Sequence, residues 1–371
     1  MVEIEVASSR GRHVAIVGAG VIGLSCALEI RRRGFEVTVV EQGTRAGEAT
    51  WAAAGVVAPH HYGATPGPLY ELLRRSHALY PAFVQSLSRR SLDWHENGTM
   101  AIARTKAEAE ELEARVHWLN HAGYSAQLLT RSTLSELEPL CDGAFESAAF
   151  FAGDAHVDPR LLGLALKETV LQEGVQICFG ALVERIETMG SAVSGLSLSG
   201  ADHILPAEAV VLAAGAWSAG LAPGFRLPVR PAKGQMCAVK TGGLRRPVQY
   251  PEGVMIPRTG DLMAVGATVE DVGFDLRINP DAISEVRAAA AGVVSVVADA
   301  EIVETWLGFR PRTADGFPVV GQSVVDGLVV STGHDTKGIA LAPVTAKLVA
   351  DLVCDRHVDP LLTPFSPERF S

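Results

Sequence analysis

No apolar run in the chain comes near the roughly 20 residues that cross a bilayer; runs such as His13–Val17 and Ala207–Ala214 are far shorter. Cysteine is scarce. Cys26, Cys141, Cys178, Cys237 and Cys354 are scattered, with no C-x-x-C pair and no histidine cluster beside them. That spacing excludes a disulfide frame and a zinc site and reads as reduced intracellular thiols, so no metal is expected. Positive charge is in deficit, with 32 Lys+Arg against 42 Asp+Glu and a net charge of −10. Such a surface repels phosphate backbones, and no nucleic-acid partner is expected. The first residues, MVEIEVASSRGR, place acids early and lack an apolar stretch behind a basic start, unlike a signal peptide. A soluble, cytoplasmic protein is the expectation. There is no internal repeat or low-complexity tract, and 48% hydrophobic with 20% charged residues is ordinary for a globular core. At about 150 residues per domain, 371 residues imply two to three domains.

What is present begins at residue 14. Val14-Ala15-Ile16-Val17 reads as a buried parallel strand, followed at once by Gly18-Ala19-Gly20-Val21-Ile22-Gly23. Apolar residues at Leu24, Ala27, Leu28 and Ile30 then give helical spacing, with Gly34 as its stop. A second strand, Glu36–Val40, ends at Glu41. In this order Gly18 permits the tight turn, Gly20 lets a pyrophosphate approach the backbone, and Gly23 lets helix and strand pack closely. The pyrophosphate sits at the helix N-terminus, beside Val21 and Ile22, and Glu41 accepts from ribose hydroxyls. A lone glycine pattern is weak; strand, helix, strand and acid together point to a dinucleotide. The bland reading is a glycine-rich turn with a solvated Glu41.

Further along, Pro68–Leu92, Lys106–Gly123, His156–Gly174 and Asp281–Val297 read as helices. Met236–Lys240, Val254–Pro257 and Leu262–Gly266 alternate like antiparallel strands, and Leu328–Ser331 followed by helix Gly338–Cys354 returns to a βα unit. A chain that opens βαβ, leaves for an antiparallel region and comes back implies a discontinuous nucleotide unit carrying an insertion. The expected class is α/β plus antiparallel β. Residues 12–92, 148–226 and 308–371 would form a Rossmann-type, glutathione-reductase-like unit, and 93–147 with 227–307 an inserted α+β substrate unit. The stretch Gln42 to Thr50 and the run Trp51-Ala52-Ala53-Ala54-Gly55 favour FAD over NAD, since small residues let backbone amides lie against a flavin ring. Arg45 would contact the diphosphate or the adenosine end.

These stretches resemble the D-amino-acid oxidase-like flavoproteins, and within them the glycine oxidase branch. The resemblance rests on G-A-G-V-I-G at 18–23, E-A-T-W-A-A-A-G at 48–55, A-A-G-A-W-S at 213–218, P-A-K-G-Q at 231–235, I-P-R at 256–258, V-G-A-T at 265–268, G-F-R-P-R-T-A-D-G-F-P at 308–318 and G-H…G-I-A-L-A-P at 333–343. It runs nearly end to end.

The resemblance implies that Gly18, Gly20, Gly23, Glu41, Gln42, Arg45, Thr50, Ala52, Ala53, Ala54 and Gly55 hold FAD. Val183 would bracket the adenine, and Ala214, Gly215 and Trp217 would lie near the ribityl chain. Gly333, His334, Thr336, Lys337, Gly338 and Ile339 would border the pyrimidine edge, where the last helix favours negative charge. The FAD should be non-covalent, because 309–322, the segment that carries the tethering cysteine in tethered relatives, has none.

The same resemblance makes Arg310 the clamp on a substrate carboxylate, a task a planar guanidinium does better than lysine. The implied reaction moves a hydride from the α-carbon of a neutral amine to flavin N5, giving an imine that hydrolyses to an oxo acid. Positioning carries most of that step, with O2 as acceptor; a quinone or carrier is the alternative. A structural ion pair is the competing reading for Arg310. Arg258 suits a structural role. His60 and His61 stand just past the platform, as pocket walls more than bases, and Met255 and Val254 border the carboxylate site. Two departures concern the pocket: Val254 stands where the branch has a tyrosine, and Asp335-Thr336-Lys337 replaces an aromatic-Arg-Asn run. They suggest a substrate larger than glycine, with a polar or basic group reaching Asp335. Asp335 pairing with Lys337 is the alternative. A homo-oligomer is compatible with all of this. A flavin domain acting on modified tRNA fits poorly with a pI of about 5.6.

Overall fold

The central strand of the nucleotide unit is His13–Val17, whose short apolar side chains are buried on both faces, Val14 and Ile16 against helices and Ala15 and Val17 against a small three-stranded sheet. The computed structural model describes residues 12–45, 47–62, 65–87, 90–224 and 227–370. The stretch preceding residue 12, read above for a signal peptide, lies outside them, as does residue 226, where the sequence places a domain boundary. Six strands form one sheet in the order Val319–Gln322, Leu328–Thr332, Ala209–Leu212, His13–Val17, Glu36–Glu41 and Gln176–Phe179. All neighbours run parallel except the Val319–Gln322 edge. Helices Val21–Arg32 and Gly338–Cys354 pack on each other beneath it. Tyr80 of helix Pro68–Gln85 is buried and donates its hydroxyl to the Ile339 carbonyl at 2.8 Å, which ties the third helix to the pair.

An eight-stranded sheet stands beside the first. Its order is Glu301–Thr313, Val229–Lys240, Leu262–Gly266, Gly253–Arg258, Val248–Tyr250, Thr99–Ala103, Ser147–Phe151 and Ala126–Leu128. Every pair is antiparallel except Val248–Tyr250 with Thr99–Ala103. One face packs on helix Pro280–Ala291 through Met100, Val248, Met255 and Val265; the other faces the nucleotide unit through Met236, Ile256 and Ala264. The expected α/β plus antiparallel β class is the observed one. The sequence boundaries at 147/148 and 307/308 both fall inside strands of this sheet. The division we propose between nucleotide and substrate units is therefore one of task, with two strands shared, one of five residues and one of thirteen.

Several element ends differ from the sequence reading. The helix starting at Pro68 stops at Gln85, and the one starting at Pro280 stops at Ala291, where Gly292 follows. Among the described residues no helix is long and apolar enough to cross a membrane.

Candidate active site

The glycine turn is built as a cradle. Gly18 has φ +105°, and its N–H donates to Val40 at 2.8 Å. A Cβ there would lie 2.5 Å from the Ala213 carbonyl oxygen, and one on Gly23 would lie 1.9 Å from that of Gly18. Gly20 differs: its Cβ would meet only Thr50 Oγ1, at 3.5 Å. The space over Gly20 is thus open, at a helix N-terminus whose amides point outward. Thr50 Oγ1 accepts from the Val21 N–H at 2.8 Å and fixes that end. Glu41 is buried and accepts from the Ala19 N–H at 2.7 Å and the Gly43 N–H at 2.8 Å. A carboxylate has about four lone-pair sites, so ribose hydroxyls can share it. The chain fits a dinucleotide at this place.

A cavity of about 400 Å³ continues from that turn. Gly20, Val21, Ile22, Thr50, Ala52, Ala53, Ala54 and Gly55 form one wall. Gly215, His334, Thr336, Gly338 and Ile339 form another, and Arg310, Asp335 and Val254 lie at the end facing the second sheet. Small side chains leave room there for a planar ring: a Cβ on Gly215 would meet nothing within 4 Å. The platform is buttressed from behind. Trp306 Nε1 donates to the Ala52 carbonyl at 3.1 Å, and Arg160, paired with Glu304 at 2.9 Å, stacks on Trp51 at 3.8 Å. The residues present fit an FAD.

The other expected cofactor residues stand off the cavity wall. Gly18, Gly23 and Gly333 shape turns beneath it, Gln42 is exposed, and Arg45 pairs with Glu48 at 2.9 Å while stacking on Trp51. Val183 begins a strand of the small three-stranded sheet, and Ala214 is half-buried just past the strand Ala209–Leu212. Trp217 stacks on Phe274 at 4.8 Å. Lys337 is buried at the N-terminal cap of the last helix. His334 places Nε2 3.2 Å from the Thr345 hydroxyl. Burial, with the Lys337 ammonium second, pushes its imidazole down to about 3, so it is neutral at ordinary pH.

Arg310 lines the cavity and is held in place there. Its Nη1 donates to the Thr268 carbonyl at 3.0 Å, and the guanidinium lies flat over Gly234 of the neighbouring strand. A Cβ at 234 would come 2.1 Å from Nη1, so only glycine leaves the arginine its place. Asp335 borders the cavity, but Arg312 approaches it at 3.5 Å and Lys337 at 3.6 Å. Two cations counter this carboxylate, so the arrangement is that of the pairing alternative.

Two expected substrate residues are corrected by geometry. Met255 has no exposure and sits in the core under helix Pro280–Ala291, because strand alternation turns it away from the face that carries Val254. His60 is also turned inward: its Nδ1 is 2.7 Å from Asp154, which accepts from Thr99 at 2.6 Å. His61, one position on along the short helix Pro59–Tyr62, lines the cavity instead. The site also recruits Met236, Gly266, Gly308 and Phe309. The alternation in 229–240 and 262–266 marks such residues as sheet-facing, but not which face meets the cavity.

Known proteins match this arrangement. Residues 13–352 fit the family model described as DAO, FAD dependent oxidoreductase. Glycine oxidase of Geobacillus kaustophilus is 34% identical over 366 residues, which cover 96% of each chain. A crystal structure of glycine oxidase from that organism superposes with a TM-score of 0.90 at 33% identity, over 96% of this chain and 98% of the other. Iminodiacetate oxidase from Chelativorans sp. superposes with a TM-score of 0.85 at 27% identity, over 95% and 98%. From the glycine cradle at residue 18 to the last helix, sequence and architecture agree, and the chain belongs to the DAO family of FAD-dependent oxidoreductases.

Proposed function

We propose that the chain oxidises the C–N bond of a small amino acid or amine, with O2 as the electron acceptor. The observation that carries this reading is Arg310, seated over Gly234 at the end of the cavity whose wall is the Ala52–Gly55 platform. Bound FAD supplies the two-electron acceptor for such a reaction. Arg310 binds the substrate carboxylate through its fork and fixes the direction in which the α-carbon points. Met236, Phe309 and Val254 supply apolar surface around that position, which strengthens the charge pair by excluding water. The amine must arrive neutral, and the neutral imidazole of His61, pushed down to about 4 mainly by burial, adds no positive charge beside it. Loss of two electrons leaves an imine, which water converts to an oxo acid and an amine. The relatives named for glycine and iminodiacetate oxidation support both the carboxylate and the amine in this substrate class.

The test is a screen of the purified holoprotein for anaerobic bleaching of the flavin band by glycine, sarcosine, D-amino acids, cyclic imino acids and larger amines. Rapid reoxidation in air supports O2 as acceptor; slow reoxidation in air with rapid reoxidation by a quinone identifies a dehydrogenase. No bleaching by any amine contradicts the reading.

A further inference from the structure

The floor of the cavity is a row of cross-strand partners in the second sheet. Met236 pairs with Gly266, Gly266 with Val254, Val254 with Gln249, and Gln249 with Ala101. Directly opposed residues put their side chains on the same face. Met236, Gly266 and Val254 line the cavity, and the register makes Gln249 the next side chain on that face of the sheet, buried just behind the lining. It is the one hydrogen-bonding side chain of that row. Gln249 is 3% exposed, and its amide makes no well-formed hydrogen bond, the neutral His61 ring being the polar group that approaches it. A buried amide N–H left without an acceptor is costly, and a ligand carboxylate that accepted from it would recover that cost.

Among the charged groups acting on this corner, Arg115 is a cation that makes no ion pair among the described residues. His61 lines the cavity against this amide, and Arg115 and Lys337 act on its ring. Arg115 has a buried Nε with no hydrogen bond. The acids nearby are countered: Glu252 pairs with Arg104, and Asp335 with Arg312 and Lys337. Distance sets the length of what fits. The Arg310 guanidinium is anchored at the Thr268 carbonyl, just past the strand Leu262–Gly266, and Gln249 lies two strands away. At 4.7–4.9 Å per strand that is on the order of 10 Å. Glycine is too short to engage both ends.

We infer that the substrate is an amino acid with a second carboxylate on an arm of several atoms, held at Gln249 while Arg310 holds the first. The inference rests on the oxidation reading above for the role of Arg310, and it reverses the sign of the group expected from Asp335 alone. The arm selects the substrate; the reacting carbon stays at the Arg310 end.

The probes lack an α-amino group next to the carboxylate: acetate, glutarate and, as the counterpart with a cationic far end, protonated 5-aminovalerate. Each is titrated into the FAD-loaded protein and followed by the shift of the flavin visible band. Glutarate is expected to bind at least tenfold more tightly than acetate. Gln249→Leu should weaken glutarate at least tenfold more than it weakens acetate. The isosteric Gln249→Glu, which keeps the shape and adds a negative charge, should turn the preference toward 5-aminovalerate. Equal affinity of glutarate and acetate, or a glutarate preference that survives both variants, overturns the inference. So does wild-type preference for 5-aminovalerate. If amines bleach the flavin and glutarate has no advantage, the second carboxylate fails and the oxidation reading stands. If glutarate is preferred through Gln249 and no amine bleaches the flavin, the binding end is supported and the oxidation reading fails.

Discussion

Arg258 donates from Nη2 to the carbonyl oxygen of Ala54 at 2.6 Å, joining the second sheet to the middle of the small-residue platform. The guanidinium is only 12% exposed, and its nearest counter-charge, Asp158, is 3.7 Å away. Burial lowers its pKa from the ordinary arginine value, with the Asp158 and Asp93 charges opposing. An arginine kept in so dry a place is structural, as the strand-end position of I-P-R suggests.

Arg258→Met should therefore loosen the platform without touching the substrate end. A charge-assisted hydrogen bond is worth about 1.5–3 kcal/mol, so FAD affinity should fall by roughly tenfold or more. Titration of the apoprotein with FAD, followed by quenching of tryptophan emission, reads this directly. Unchanged affinity would mean that the platform holds its shape unaided.

Two glycines of the cradle should respond in different ways. Gly23→Ala puts a Cβ against the Gly18 carbonyl oxygen at 1.9 Å, so helix and turn must separate. The apoprotein should melt at lower temperature and bind little FAD. Gly20→Val projects into open space, near only Thr50 Oγ1. Its apoprotein should keep a near-normal melting temperature while FAD binding is lost, because the side chain fills the pyrophosphate's place. Melting curves of both variants with and without FAD separate these outcomes.

Acid should destabilise the fold through its buried histidines. His334 and His156 are pushed down to about 3 and His61 to about 4, in each case chiefly by burial. In the unfolded chain they titrate near 6.5. Between these limits the unfolded state binds more protons than the folded one, so stability rises with pH and is lost as pH falls below about 6.5. Each group contributes up to about 1.4 kcal/mol per pH unit inside that window. Urea midpoints at pH 7 and pH 5 should fall with acid, and His156→Asn should flatten the slope. A midpoint independent of pH over this range would contradict the neutral-histidine assignment.

The local parts of this site were legible because they follow chain-local rules. Gly18, Gly20, Gly23 and Glu41 sit in one βαβ unit, where turn, helix start and acid have fixed spacing. Arg310 was legible through the family resemblance, although its seat over Gly234 depends on a strand pairing that spacing cannot reveal. Alternation shows that Val254 and Met255 face opposite ways, but not which of them meets the cavity. His60 and His61 pose the same ambiguity on a helix, decided by Asp154 from a distant turn. Thr99–Ala103 and Ser147–Phe151 carry little strand signal in the sequence, since each is five residues long and two of the five are alanine. Gln249 carried no motif; only the register of its strand places it beside Val254.

The role of Arg310 as the carboxylate clamp is measured by the rate at which bound FAD is reduced, without oxygen, by the best amine substrate in wild type and in Arg310→Leu. The variant should keep its flavin, since Arg310 stands at the far end of the cavity from the glycine cradle. Its reduction rate at limiting substrate should drop by about 10- to 150-fold or more, the equivalent of one bidentate charge pair in a dry site. Equal rates in the two proteins, with equal flavin content, would contradict it.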